Sequence, residues 1–220
     1  MARVDPETIT EIRAPSGHPL RRSVVVGPKC VARLSPEAVE RLGLRAGAAW
    51  DAEAEQRVRD AGSQDNAMRY AVRLLRKRPL GSGEMLERLR RRGFDAAAAE
   101  WVVRRLTEQR ILDDAAYGRL VVESELARKP AGRGLLVRKL ARKRLGRDLI
   151  AQVVQEAVRR SDPIVDARHL VEQKLRNPSM RRCPAVIRKQ RLWGLLARRG
   201  FDQEVIEAVL GDGLASESNC

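Results

Sequence analysis

At 220 residues, 43% of them hydrophobic and 33% charged, the chain is long enough for one large domain or several small ones with packed cores. Its 44 Lys and Arg against 29 Asp and Glu leave a net charge of +15, which favours a polyanionic partner or an acidic protein surface. Cysteines at 30, 183 and 220 with two histidines make neither a zinc cluster nor a disulfide scaffold, and no window has the apolar length of a signal peptide or membrane span, so a reducing, cytoplasmic setting is expected.

The charge is unevenly placed. Residues 1–65 hold 10 Lys/Arg and 10 Asp/Glu, whereas residues 66–220 hold 34 against 19, so the entire excess falls in the second part. Residues 1–8 read as disordered. Thr8 to Arg13 is expected as a short strand, followed by the turn chemistry of Pro15, Gly17 and Pro19. Val24 to Val26 is β-branched and reads as a strand, Gly27-Pro28-Lys29 turns the chain, and Cys30 to Leu34 returns it. Ser35-Pro36 then has the cap and first-turn proline of a helix start, with the helix ending near Gly43. Trp50 is expected to pack back on the hairpin. Glu53 to Gly62 reads as a short helix, and the polar run Gly62 to Asn66 as a boundary.

From Ala67 the pattern is helical almost to the end, and it repeats. When Phe94, Leu145 and Phe201 are set equivalent, the positions five before are Leu89, Leu140 and Leu196. Eight before stand Leu86, Val137 and Trp193; five after stand Ala99, Ile150 and Ile206; eight after stand Val102, Val153 and Val209. All are apolar at helical spacing. The expected fold is therefore mainly α: three tandem three-helix repeats in an elongated curved array, preceded by a small β-hairpin-plus-helix module. The boundaries follow as a module and linker over 1–65, repeats over 66–111, 112–161 and 162–210, and a disordered tail over 211–220.

Between the core positions lies charge. Two and three residues before each anchor stand Arg91/Arg92, Arg142/Lys143 and Arg198/Arg199, all basic. A helix C-terminus alone favours cations by ~0.3–1 kcal/mol, which accounts for any one pair. It accounts less well for residues 128–147, which carry nine bases and no acid. Like charges at i,i+4, such as Arg138/Arg142 and Lys139/Lys143, repel on a bare helix and call for an anionic surface. The candidate partner- or DNA-binding residues are Arg90, Arg91, Arg92, Arg128, Lys129, Arg133, Arg138, Lys139, Arg142, Lys143, Arg198 and Arg199. Arg144 stands where Gly93 and Gly200 stand in the other repeats. Either it is strained in left-handed geometry, or the helix runs on to Gly146, which is the favoured expectation.

Enzyme constellations are missing from the pattern. Gly81-Ser82-Gly83 is a helix-start turn rather than a phosphate loop, His18 and His169 have no nucleophile near them in sequence, and Asp113-Asp114 reads as a cap with a first-turn carboxylate rather than a metal pair. Aromatics make up 3% of residues and fall mostly on core positions, which argues against a stacking platform for single strands. No cofactor and no metal are expected.

The repeat region resembles the RecX family of bacterial proteins that modulate the recombinase RecA. The resemblance rests on Tyr70-Ala71-Val72-Arg73-Leu74-Leu75 with Arg78-Pro79; on Glu84 and Leu86 to Phe94; on Ile111-Leu112-Asp113-Asp114 with Tyr117; and on Leu196 to Phe201. Ile9, Val24 to Leu34, and Leu42 to Gly47 resemble the module that precedes the repeats in some members. Two departures are Ser124 and Glu125, where the family commonly has an Arg, and Arg144 in place of Gly. The resemblance implies a non-enzymatic monomer that binds the groove of a RecA-type filament on single- or double-stranded DNA, without sequence preference and away from membranes. Inhibition of filament growth, ATPase and strand exchange is expected. A transcriptional regulator with one helix as DNA reader, and a scaffold whose charge is incidental, are the alternatives.

Overall fold

In a computed structural model, residues 7–15 and 17–215 are described, with side chains as far as residue 211. The expected disorder of residues 1–6 and 216–220 lies outside the described residues. The chain forms two compact units, Met1–Pro79 with Met85–Ile111, and Leu80–Glu84 with Leu112–Cys220.

The first unit begins with strands β1 (Glu7–Arg13), β2 (Arg22–Val26) and β3 (Lys29–Leu34), helix α1 (Pro36–Arg41) and strand β4 (Ala49–Trp50). The antiparallel sheet has the order β3-β2-β1-β4. Alternation along β1 and β2 turns Ile9, Val24 and Val26 to one face, where they bury with Leu34, Ala38, Val58 and Ala61. Trp50 packs on this core as expected, but it does so from a fourth strand, paired with Glu7. That pairing also orders Glu7 and Thr8, which sequence patterning assigns to a disordered start. Ser35 caps α1 by accepting from Ala38 N at 3.1 Å.

Helix α2 (Ala52–Leu75) is longer than the short helix expected over Glu53 to Gly62 and runs unbroken through the polar stretch Gly62 to Asn66. The polar residues of that stretch have partners across the fold rather than solvent. Asp65 accepts from the backbone N and Oγ of Ser35, and Ser63 Oγ donates to Asp95 at 2.5 Å. Asp95 in turn caps α4 through Ala98 N at 2.7 Å. A Cβ on Gly62 would stand 3.8 Å from a Leu34 methyl, an ordinary contact, so the packing here does not call for glycine. Helices α3 (Ser82–Arg91) and α4 (Ala96–Glu108) follow. Tyr70 of α2 meets Phe94 at 5.9 Å between ring centroids.

The second unit contains the first turn of α3 together with α5 (Asp114–Leu126), α6 (Arg133–Arg142), α7 (Arg147–Val158), α8 (Pro163–Leu175), the short α9 (Pro178–Arg181), α10 (Ala185–Arg198) and α11 (Gln203–Ala215). Helix α11 continues to Ala215 and so takes in half of the stretch expected as a disordered tail. The repeat register is borne out by burial. Leu89, Leu140 and Leu196 are fully enclosed, and Ala99, Ile150, Ile206, Val102, Val153 and Val209 are all buried.

Each middle helix ends in the same backbone turn. Phe94 N donates to Leu89 O at 3.3 Å, Leu145 N to Leu140 O at 3.5 Å and Phe201 N to Leu196 O at 3.2 Å. The residue before each aromatic or leucine anchor has positive φ: 92° at Gly93, 60° at Arg144 and 81° at Gly200. Arg144 therefore adopts the left-handed conformation, and α6 stops at Arg142 instead of running to Gly146. The turn's two hydrogen bonds and the burial of Leu145 outweigh the Cβ penalty. Arg144→Gly is expected to raise stability by about 0.5–1 kcal/mol, the left-handed penalty less the added chain entropy of glycine. Urea denaturation should show a higher midpoint with an unchanged slope.

Within the second unit these turns are docking points. Gly132 N donates to Arg199 O at 3.0 Å and Gly134 N to Gly200 O at 2.9 Å. A Cβ on Gly132 would stand 2.3 Å from Gly200 O, and one on Gly83 would stand 2.4 Å from Arg144 O. The paired glycines that open α3 and α6 thus let the start of one middle helix lie against the end of the next. Asp114 completes the first such contact by accepting from Ser82 N at 2.7 Å and from Ser82 Oγ at 2.5 Å, while Asp113 caps α5 through Ala116 N at 2.8 Å. The two aspartates are caps for two different helices.

Candidate nucleic-acid interface

The basic residues at the middle-helix ends divide into those the fold neutralises and those it leaves to solvent. In the first unit, Arg90 pairs with Glu100 at 2.8 Å and Arg91 with Glu87 one turn back at 2.5 Å, both arginines remaining more than half exposed. Arg92 lies over Tyr70, with Cζ 6.0 Å from the ring centroid. Exposed pairs of this kind contribute little to stability and leave their cations free to exchange partners.

In the second unit, α6 carries two basic rows. Lys139 and Lys143 form the inner row. Lys139 bonds the buried carboxylate of Glu125 from α5, and Lys143 lies 3.8 Å from Glu84, which also accepts from Tyr117 Oη at 3.4 Å. Arg138 and Arg142 form the outer row. Both are exposed, and no carboxylate approaches either among the described residues. Arg138 reaches the carbonyl of Arg198 at 3.3 Å, which brings it to the end of α10, where the Arg198 guanidinium folds over Gly194. Arg138 is therefore brought to Arg198, and Arg142 stands one turn on from Arg138 along the same exposed row. Arg128, Lys129 and Arg133 are exposed and without a carboxylate partner among the described residues.

Arg199 has a different task. Its side chain is 19% exposed, and it bonds Glu125 Oε1 at 2.9 Å, the Pro130 carbonyl at 2.8 Å and the Lys129 carbonyl at 2.6 Å. It latches the end of α10 to the end of α5. Burial alone would push the Glu125 carboxyl up, but hydrogen bonds from Lys139 and Arg199, with their charges, outweigh it and hold the group below the ordinary glutamate range. A lowered folded-state pKa means that this ion-pair contribution is complete above the ordinary glutamate range and fades as the pH falls below it. Glu125→Gln is expected to cost about 2–3 kcal/mol near neutrality, less than a fully enclosed pair because Lys139 is partly exposed. Unfolding curves at neutral and acid pH should converge for the two proteins as the carboxyl protonates.

Residues 128–147 are acid-free in sequence, yet Glu125 and Glu84 arrive from other helices against Lys139 and Lys143. Sequence patterning also missed the larger basic stretch. Residues 173–201 carry nine bases and no acid: Lys174, Arg176, Arg181, Arg182, Arg188, Lys189, Arg191, Arg198 and Arg199. The same acid-free count applied to repeat three would have found it. Among the described residues, no group of His, Cys, Asp and Glu is placed to hold a metal ion. No described helix is long and apolar enough to cross a membrane.

The family described as RecX, first three-helix domain, matches residues 67–106. The chain is 31% identical to the regulatory protein RecX of Pelodictyon phaeoclathratiforme, over 66% of this chain and 86% of that protein. It is 32% identical to the regulatory protein RecX of Chlorobaculum tepidum, over 72% of this chain and 95% of that protein. The chain belongs to the RecX family. A solved structure of regulatory protein RecX shares its fold, with a TM-score of 0.77 at 19% identity over 92% of this chain and 98% of the other. RecX from Lactobacillus salivarius aligns at a TM-score of 0.56 and 13% identity, over 68% of this chain and 96% of that one.

Membership gives the RecX motifs of this chain their physical meaning. The Leu-Asp-Asp motif is a buried leucine followed by two helix caps, and the basic-Gly-Phe motif is a helix stop, which at Gly200 also serves as a docking turn. Both are devices for building a RecX repeat.

Proposed function

We propose that the chain regulates a RecA-type recombinase in the cytoplasm by binding its filament on DNA through the basic ends of the middle helices. It acts as a monomer, without cofactor or catalysis, and restrains filament growth, ATPase and strand exchange. The observation that carries this reading is the outer row of α6, Arg138 and Arg142, joined by Arg198. These cations lie where carboxylates from other helices neutralise their neighbours but not them. A helix that holds like charges at i,i+4 with no internal counter-charge gains from an external anion. Contacts of that kind fall on phosphates, position the protein without reading sequence, and weaken with salt.

The test is recombinase ATPase on single-stranded DNA, titrated with the purified chain. The wild type is expected to lower the rate in a saturable way, with the inhibition moving to higher protein concentration as salt is raised. An ATPase rate indifferent to the chain at low salt would overturn the reading.

A further inference from the structure

The first unit contains a cavity of about 300 Å3 that the basic helix ends do not explain. It lies between the residues just before β2, the start of α1, the middle of α2 and the outer side of α4. Four arginines line it, Arg21, Arg41, Arg69 and Arg105, against two carboxylates, Asp65 and Glu37. Both carboxylates are engaged. Asp65 accepts from the backbone N and Oγ of Ser35, and Glu37 pairs with Arg105 at 3.0 Å. Arg41 lies over the Trp101 ring at 5.0 Å and donates to Gln64 at 3.1 Å, and Arg69 donates to Asn66 at 2.5 Å.

Arg21 is the exception. Its Nη2 donates to the Arg33 carbonyl, but its Nε is buried and finds no acceptor among the described residues. Burial lowers the guanidinium's pKa from its ordinary value, the charges of Arg69 and Arg33 lower it further, and Asp65 only partly opposes them. A buried N–H without an acceptor, in a charged group beside two like charges, is costly for a fold to retain. An oxyanion in the cavity would supply the counter-charge to the guanidinium groups that line it.

We propose that this cavity is an anion site for a single phosphate-type group, held by Arg21 and Arg69 and walled by Trp101. The part of the Arg21 guanidinium that lines the cavity supplies one charge, and Arg69 supplies the second. Trp101, Met68 and Leu20 give the cavity an apolar side against which a sugar or base can lie. The site belongs to the N-terminal module and repeat one, so it stands apart from the filament reading and survives or falls without it.

Calorimetric titration of the full chain with inorganic pyrophosphate, in about 0.15 M chloride to screen exposed cations, should show one saturable event. Arg21→Gln and Arg69→Gln should each weaken it about tenfold or more. Arg138→Glu with Arg142→Glu should leave it unchanged. Thermal unfolding without ligand reads the folded-state cost of each variant: Arg21→Gln gives up the bond to the Arg33 carbonyl together with the N–H that has no acceptor, and exposed Arg69 provides a second variant should it be less stable. A 5′-phosphorylated thymidine dinucleotide that binds more tightly than pyrophosphate assigns the site to nucleic-acid ends, and the reverse order assigns it to free phosphate. Equal affinity in the wild type and both arginine variants, or no saturable event, overturns the proposal.

Discussion

Gly200→Ala is expected to lower the unfolding free energy by about 3–5 kcal/mol, whereas Gly93→Ala, at the equivalent position of repeat one, should cost only about 1–2 kcal/mol. The two glycines share a left-handed backbone, with φ of 81° and 92°. What separates them is what a methyl group would meet. At Gly93 nothing lies within 4 Å. At Gly200 the Cβ would stand 2.0 Å from Leu135 N and 2.8 Å from the Gly134 carbonyl carbon, both backbone atoms that have no rotamer to change. The difference between the variants therefore isolates the docking of α10 on α6 from the strain of the turn. Guanidinium denaturation followed by far-UV circular dichroism gives both values. Equal costs would mean that the close approach at Gly200 contributes nothing, and that the glycine is kept for its φ alone. Pushing the two helices apart should also free the hydrogen bonds from Gly132 and Gly134, so hydrogen exchange at those two amides should quicken in Gly200→Ala and not in Gly93→Ala.

The repeat was legible because its signal is apolar and local. Leu89, Leu140 and Leu196 recur at fixed distance from the helix stop, and a fully enclosed position tolerates only an apolar residue. The roles of Gly62 to Asn66 were not legible. A polar run with a glycine is a loop by composition, and only the position of Ser35 and Asp95, about thirty residues away in either direction, makes Asp65 and Ser63 tertiary partners inside a helix. Arg144 misleads for the opposite reason: local propensity disfavours positive φ, and the docking of Gly83 against it is a long-range fact. The candidate site was legible as a density of bases but not as a surface. Lys139, Lys143 and Arg199 look like Arg138, Arg142 and Arg198 in sequence, and only the arrival of Glu125 and Glu84 tells the two sets apart.

That separation predicts a result which the sequence pattern alone would not. Replacing Arg138, Arg142 and Arg198 together by Glu should weaken binding to single-stranded DNA, alone or in a recombinase filament, by about 10²–10³-fold at low salt. It should also lower the slope of log affinity against log salt by about 2, near 0.7 for each phosphate that is no longer neutralised. The fold should be retained, since none of the three side chains bonds a carboxylate among the described residues and the cost is confined to the helix-end attraction for cations and the Arg138 bond to the Arg198 carbonyl. Neutralising the inner row, Lys139→Gln with Lys143→Gln, removes two positive charges where the outer-row variant reverses three, and leaves the Glu125 and Glu84 carboxylates short of a partner. Its expected effect is the reverse: a stability loss of about 1–3 kcal/mol with the salt slope nearly unchanged. Fluorescence anisotropy across a salt series, paired with urea denaturation of the same preparations, measures both quantities. If the inner-row variant lost salt slope in proportion to its charge change, about a third of the outer-row loss, binding would depend on net charge alone. The assignment of the interface to the outer face of α6 and the end of α10 would then fail.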